Sequence, residues 1–267
     1  VTPAVVIDSV DFSYEARQVL QGISFSVEEG EIAGIIGKNG SGKTTLLRLI
    51  AGWLQPSGGR IEVKGKKVKA MAARERARTI AVLSQSWETI FHLSARDVVL
   101  LGRAPYLRRF EETRPLDLRT AEWAMEMTDT LELGDRPMSL LSAGERQRVM
   151  ISRVLAQEAP VLLLDEPTSG LDIAHQRTVM DNISWLVKEK RLAVVLVSHD
   201  VNMAGRYADR LLMMADGRKT AWGPCPGVIT KENLRETYGV ELVVEERDGK
   251  KIVLEWEDGG RRATWKT

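Results

Sequence analysis

The octapeptide GKNGSGKT at positions 37–44 limits the fold of this chain more than any other stretch. It matches the phosphate-loop pattern GxxxxGK[ST] throughout and lies between two distinct apolar patterns. Residues 31–36 read as a buried strand, and residues 45–54 carry apolar side chains at helical spacing. Strand, glycine loop and helix in that order is the context a phosphate-binding loop requires. Gly37, Gly40 and Gly42 let the backbone turn tightly and aim its amides inward, and the helix adds the positive end of its dipole. Lys43 can then reach β- and γ-phosphates, and the Thr44 hydroxyl can ligate Mg²⁺.

At 267 residues the chain can bury a large core, and one compact body with subdomains is expected. Lys and Arg number 38 against 37 for Asp and Glu, so no field of one sign argues for nucleic acid or an anionic bilayer as the main partner. The single cysteine, Cys225, has no disulfide partner and is compatible with a reducing compartment. No apolar run approaches the roughly 18 to 20 residues of a membrane span, and the N-terminus lacks a signal-peptide profile. A soluble or peripheral, cytosolic chain is expected.

The first thirty residues read as antiparallel strands over 5–12 and 23–27, with turns near 15–18 and 28–30. After the loop helix, PSGG at 56–59 marks a turn, 60–68 a hairpin about Gly65, and 80–84 a strand. From 86 to about 158 the pattern is helical and Arg-rich. Ser94 and Asp97 form a capping-box-like start for a helix to about Leu101, and a longer helix is predicted over 118–131. The continuous apolar runs at 161–165 and 192–197 suit parallel strands buried on both faces, with a crossover helix over 173–190 between them. A helix over 231–238 and a hairpin turning at 248–250 end the chain. The reading is an α/β fold: a phosphate-loop core with a mostly parallel sheet, an N-terminal antiparallel β layer and an inserted helical subdomain. Its expected parts are 1–85 with 159–222 as core, 86–158 as helical insert and 223–267 as tail.

VLLLDEP at 161–167 ends a buried strand in two carboxylates, where α/β sheets place their chemistry. Asp165 is a candidate ligand of Mg²⁺, and Glu166 the candidate partner of an attacking water. The chain turns at Pro167, so both can reach one site. LSAGERQR at 141–148 opens a helix with the S-x-x-E spacing of a capping box, Ser142 to Glu145. The same helix start, with the amides around Gly144, can make a second phosphate-binding end.

With these motifs in order, joined by Gln85 after a strand, SGLD at 169–172 and His199 in SHD, the chain resembles the nucleotide-binding subunits of ABC transporters. The resemblance implies an ATPase that closes as a head-to-tail dimer on two ATP molecules with Mg²⁺. ATP would be held by Gly37, Lys38, Asn39, Gly40, Ser41, Gly42, Lys43, Thr44 and Thr45 of one copy. Ser142, Ala143, Gly144 and Glu145 of the other would complete the site. It further implies that Glu166 polarises the hydrolytic water, that His199 contacts the γ-phosphate and that Gln85 senses Mg²⁺, while Asp172 couples the two sites. Tyr14 would stack on adenine; by itself it also suits a half-buried sheet aromatic. His199 alone reads as a structural histidine, and His92 and His175 gain nothing from the match.

The signature departs from the family pattern at Ala143 and Glu145, where Gly and Gln are usual, and Lys38 replaces a frequent Pro, adding a charge near the triphosphate. VVLLGRAPYLRRF at 98–110, LDIAHQ at 171–176 and SHDVNMAGRYADR at 198–210 resemble importers of metal chelates: siderophore iron, haem or cobalamin. That likeness implies a separate membrane permease met through the helical insert, an extracytoplasmic binding protein, and a peripheral location on the cytoplasmic face of the inner membrane. No nucleic acid is expected; a soluble ABC ATPase acting on nucleic acid or ribosomes, and an exporter half, are the competing readings. Arg103, Arg108, Arg109 and Arg114 suit either a solvated face or a partner surface, and KGKK at 64–67 a solvated face.

Overall fold

The computed structural model describes residues 3–84, 93–108, 111–247 and 249–254. Alternating apolar residues make a long hairpin of β1 (Val5–Tyr14) and β2 (Arg17–Val27), paired antiparallel from Val5 with Val27 to Tyr14 with Arg17. The chain then enters the central sheet as β3 (Ile32–Gly37) and leaves it through the glycine loop into α1 (Lys43–Ile50). Next, β4 (Gly58–Val63) returns to pair with β1, and β5 (Lys66–Lys67) caps the layer. Helix α2 (Ala73–Thr79) leads to β6 (Ile80–Leu83). The helices α3 (Ala95–Leu100), α4 (Pro115–Glu126) and α5 (Ala143–Ala156) pack together before β7 (Val161–Asp165). Helix α6 (Ile173–Lys190) crosses to β8 (Ala193–Val197), and α7 (Val201–Tyr207) to β9 (Arg210–Ala215) and β10 (Arg218–Pro224). The last described elements are α8 (Cys225–Val228), α9 (Lys231–Tyr238), β11 (Val243–Arg247) and β12 (Lys250–Leu254).

The central sheet has the order β10-β9-β3-β8-β7-β6 and is parallel except for β10, which runs antiparallel at the edge. Successive residues of a strand point to opposite faces, and here both faces are buried. Leu162, Leu164, Val194 and Leu196 pack toward the helical layer of α3 to α6. Val161, Leu163, Val195 and Val197 pack toward α1 and the β1-β2-β4 layer. A third apolar cluster joins Ile36 at the end of β3 to Leu234 of α9 and Val253 of β12.

Some boundaries differ from the sequence expectation. Helix α1 stops at Ile50 rather than Leu54, because Gly52 turns left-handed at φ 70 and packs so closely that a Cβ there would lie 2.6 Å from Val68. Helix α4 starts at Pro115, whose fixed φ suits a first helical position, and ends at Glu126. Asp129 then turns at φ 53, leaving Leu131 in a separate 3₁₀ turn. Val68 opens another 3₁₀ turn rather than closing the hairpin. Helix α2 buries none of its residues, which is why its sequence carries no apolar stripe.

The arginine run at 103–114 divides in a way its charge pattern does not reveal. Arg103 is buried: its Nε donates to Asp117 Oδ1 at 3.0 Å, and its Nη1 donates to Ala156 O at 2.6 Å and Glu158 Oε2 at 2.8 Å. Arg114 Nε donates to Asp117 Oδ2 at 2.8 Å. Gly102 lies so close to α5 that a Cβ would fall 2.3 Å from Arg153 O, so the LGRAPY segment is seated on that helix and held by charge. Arg108 is exposed, and Arg109 lies outside the described residues.

The hydrogen bonds of Arg114, then those of Arg103, hold the Asp117 carboxyl down to about 2 against the opposing effect of burial. Because the folded value lies below the ordinary 3.8, the stability this carboxylate contributes is complete above that value and is lost as pH falls toward 2. Arg103→Met, which strips a buried carboxylate of one partner, is expected to destabilise the fold by about 3 kcal/mol. Urea denaturation followed from pH 7 to pH 3 checks both the loss and its shrinkage in acid.

Candidate functional site

The glycine loop is wound around its own lysine. Lys43 Nζ donates to Gly37 O at 2.7 Å and to Lys38 O at 2.8 Å, so the side chain ties the start of α1 back to the end of β3. Burial pushes its pKa down, while the charges of Glu166 and Asp165 oppose that shift. Gly42, at φ 97, is the N-cap of α1 and offers no side-chain cap, which leaves the first amides of the helix for an anion. A Cβ on Gly37 would lie 2.1 Å from Met214 O, so only glycine fits between the loop and β9.

The second half of the site comes from the end of β7. Thr44 Oγ1 donates to Asp165 Oδ2 at 3.0 Å, joining the loop helix to the strand two places away in the sheet. Burial pushes the Asp165 carboxyl up, an effect the Thr44 hydrogen bond offsets in part. The chain turns at Glu166 itself rather than at Pro167: Glu166 takes φ 50, and its amide donates to Val197 O at 3.0 Å. A left-handed non-glycine residue at a strand end carries strain that surrounding structure must hold. Part of that hold is Gln147 of α5, whose Nε2 donates to Glu166 O at 3.3 Å and Pro167 O at 3.0 Å. His199 Nδ1, just after β8, lies 3.5 Å from Glu166 Oε2.

Lys43, Thr44, Glu166 and His199 face an open cleft of about 990 Å³. Of the residues expected from sequence, Tyr14, Asn39, Gly40, Gly42, Lys43, Thr44, Thr45, Glu166 and His199 line it. Tyr14 is 42% exposed at the end of β1, its ring edge-on to Phe12. Gly37 and Ser41 are buried within the loop and do not line the cleft, and Asp165 lines an adjoining pocket with Thr44. Lys38 is directed elsewhere: its Nζ lies 3.0 Å from where a Cβ on Gly239 would stand, at the end of α9. Gln85 and His92 fall outside the described residues.

Ser142, Ala143, Gly144 and Glu145 do not line the cleft. Ser142 caps α5 in a reciprocal box, its hydroxyl accepting from the Glu145 amide while the Glu145 carboxylate accepts from its amide at 2.7 Å. Those bonds from Ser142 hold the Glu145 carboxyl below its ordinary range. Asp172 caps α6 and accepts from His175, amide and ring, which gives His175 a structural task.

The sequence alone did not point to Arg17, Gln18, Val19, Asp216 and Gly217, which also line the cleft. They come from two turns far apart in the chain, between β1 and β2 and between β9 and β10. The Gln21 amide donates to Gly217 O at 2.9 Å, docking the second turn on the first hairpin. The Asp-Gly pair at 216–217 was the available signal, since such pairs favour tight hairpin turns.

Comparison with known proteins agrees with this arrangement. A protein-family model described as ABC transporter matches residues 20–169. A hemin import ATP-binding protein of Nocardia farcinica is 40% identical over 241 residues, covering 90% of this chain and 83% of that one. A cobalamin import ATP-binding protein of Halobacterium salinarum is 36% identical over 238 residues, covering 89% of this chain; the match spans only 59% of that relative's length. Among solved structures, a chain of an inward-facing transporter described as of metal-chelate type superposes with TM-score 0.81 at 28% identity, covering 95% of this chain and 98% of that one. A bacterial ABC transporter cassette solved as a dimer gives TM-score 0.75 at 26% identity, covering 83% of this chain and 98% of that one.

Gly217 sits at φ 76, and a Cβ there would lie 2.2 Å from Val19 O. Gly217→Ala is therefore expected to cost more than about 1 kcal/mol of stability and to weaken nucleotide binding by displacing a wall of the cleft. Urea denaturation and titration with a fluorescent nucleotide measure the two effects separately.

Proposed function

This chain belongs to the ABC transporter family, and on that footing we propose that it is the ATP-hydrolysing subunit of an importer. One observation carries the reading: a single cleft brings together Lys43 on its loop, Thr44 and Glu166, with His199 3.5 Å from the Glu166 carboxylate. Lys43 and the amides at the start of α1 bind the β- and γ-phosphates, and they stabilise the charge that builds as the terminal phosphoryl group leaves. Glu166 orients the attacking water and accepts its proton, and His199 contacts the γ-phosphate from the β8 side. Tyr14 offers an exposed ring at the open end of the cleft for the adenine.

The donors fit Mg²⁺. Thr44 and Asp165 are hard oxygen ligands 3.0 Å apart, and among the described residues no group of three or more His, Cys, Asp or Glu forms a closed cage. A hydroxyl, a carboxylate and the nucleotide's own phosphates are the mixture that Mg²⁺ accepts. When bound, the ion would neutralise charge shared by the two terminal phosphates.

Ser142 to Glu145 are turned out of the cleft of their own chain, which supports a head-to-tail pair in which they meet the ATP of the other copy. The dimeric cassette that this fold matches at TM-score 0.75 supports the same reading. Among the described residues no helix is long and apolar enough to cross a membrane. The relatives are named import ATP-binding proteins, which supports a separate permease as the translocation path, met by the helical part within 86–158. Arg74, Arg78, Tyr106 and Arg108 line one open groove on that side. The division into core, helical insert and tail is adopted on the same basis. The relatives' names, hemin import and cobalamin import, favour a metal chelate as cargo, delivered by an extracytoplasmic binding protein. The working location is then peripheral, on the cytoplasmic face of the membrane.

Co-purification from membranes followed by ATPase assay tests the assignment. A polytopic partner that raises turnover, with a corrinoid, haem or iron chelate on its binding protein, is the expected result; recovery with ribosomes or nucleic acid alone would sink the importer. Glu166→Gln should bind ATP normally, lower kcat by at least about a hundredfold and accumulate as a dimer by size-exclusion chromatography. Ser142→Arg should keep binding by the monomer but lose the ATP-induced dimer, which analytical ultracentrifugation reads directly.

A further inference from the structure

The described part of the tail is seated on the nucleotide cleft from behind. Ile36, the residue before the glycine loop begins, is fully buried in the cluster that contains Leu234 of α9 and Val253 of β12, with Tyr238 packed against it. The Tyr238 hydroxyl is buried with no hydrogen-bond partner among the described residues. Burial foremost pushes that phenol up to about 12, so it stays neutral in the neutral pH range. Gly239 ends α9 in the left-handed conformation, and Lys38 Nζ stands close to it. A cation at a helix C-terminus meets the negative end of the dipole and its unpaired carbonyls.

The tail also holds the other wall of the site. Asn202 of α7, three residues after His199, makes a two-way pairing with Val253: its Nδ2 donates to Val253 O at 2.9 Å, and its Oδ1 accepts from Val253 N at 2.8 Å. Thr237 Oγ1 pairs with Thr220 Oγ1 of β10 at 2.8 Å, fastening α9 to the sheet edge.

The geometry points to the described tail, residues 231–247 and 249–254, as a positioning clamp for the phosphate loop and the His199 loop, with Tyr238 and Lys38 as positioning residues for nucleotide binding. The inference rests on the reading that this cleft takes ATP. Lys38 acts through α9 rather than on phosphate: its ammonium is directed to Gly239, and the residue does not line the cleft. Removing the Tyr238 ring leaves a void against the cluster that holds Ile36, and the loop that follows Ile36 loses the orientation that phosphate requires. Clamp and nucleotide are then linked, so that occupancy of the cleft must steady α9.

The test uses the full chain with ATP and Mg²⁺. Tyr238→Ala is expected to raise KM for ATP about tenfold while kcat changes by less than about threefold. Tyr238→Phe, which keeps the ring, should recover most of the affinity. Lys38→Met should raise KM by a smaller factor, and in combination with Tyr238→Ala should add nothing further, because both act through one element. Hydrogen exchange on the wild-type chain gives a readout that needs no variant: amides 231–239 should exchange more slowly with ADP bound. Wild-type affinity in a folded Tyr238→Ala, additive effects of the two substitutions, or exchange indifferent to ADP would overturn the clamp. Failure of the wild-type chain to bind ATP or ADP would instead overturn the nucleotide reading beneath it.

Discussion

A buried ammonium group organises this molecule. Lys43 spends two of its three protons on carbonyls of its own loop, at 2.7 and 2.8 Å, and the nearest carboxylates raise its basicity without neutralising it by contact. A cation held this way in a desolvated site is incompletely compensated, and an anion entering the cleft completes it. The rest of the fold can be read as the scaffold that keeps the arrangement in place. β3 must end at Gly37, α1 must start at Lys43, and β7 must deliver Asp165 to Thr44. The order β3-β8-β7 provides all three, with His199 following the strand between.

Such a sheet demands cover on both faces, and the two covers differ. One face takes the helices α3 to α6; the other takes α1 and the antiparallel layer of β1, β2 and β4. This division decides which parts of the site are local in sequence. Loop, carboxylates and histidine sit at the ends of central strands, whereas the Tyr14 end of the cleft is built from hairpin turns of the covering layer and the sheet edge.

That difference explains what the sequence revealed. GKNGSGKT, VLLLDEP and the cap of α5 carry their meaning in adjacent residues, so the α/β class, the loop and the carboxylate pair were legible without coordinates. Arg17 and Gly217 were not, because they meet through the docking of turns 200 residues apart. Tyr238 was hidden for the same reason: nothing in KENLRETYG announces the apolar cluster it shares with Ile36. The arginine run gave a half-truth. Its charges suggested either solvent or a partner, yet Arg103 is spent on Asp117 and Glu158, which lie 14 and 55 positions away. Periodicity also lost boundaries where a left-handed residue intervened, as at Gly52 and Asp129.

Helix α5 connects the two kinds of site that the reading requires. Its first turn presents Ser142, exposed and already satisfied by Glu145, so an arriving phosphate finds a preformed helix end and pays little to order it. One turn further along, Gln147 grips the carbonyls of Glu166 and Pro167. Glu166 is held at φ 50, a conformation that costs of order 1 kcal/mol and persists only while its neighbours hold it. A rigid helix cannot move its N-cap without moving the residue five positions further on. Engagement of Ser142 by the nucleotide of another copy would therefore be felt at the backbone of the Glu166 in its own chain, some few ångströms of helix away. The exposure of Ser142, the strain at Glu166 and the reach of Gln147 thus form one mechanical path; in the head-to-tail pair proposed above, that path would make hydrolysis in either cleft sensitive to whether the other has closed.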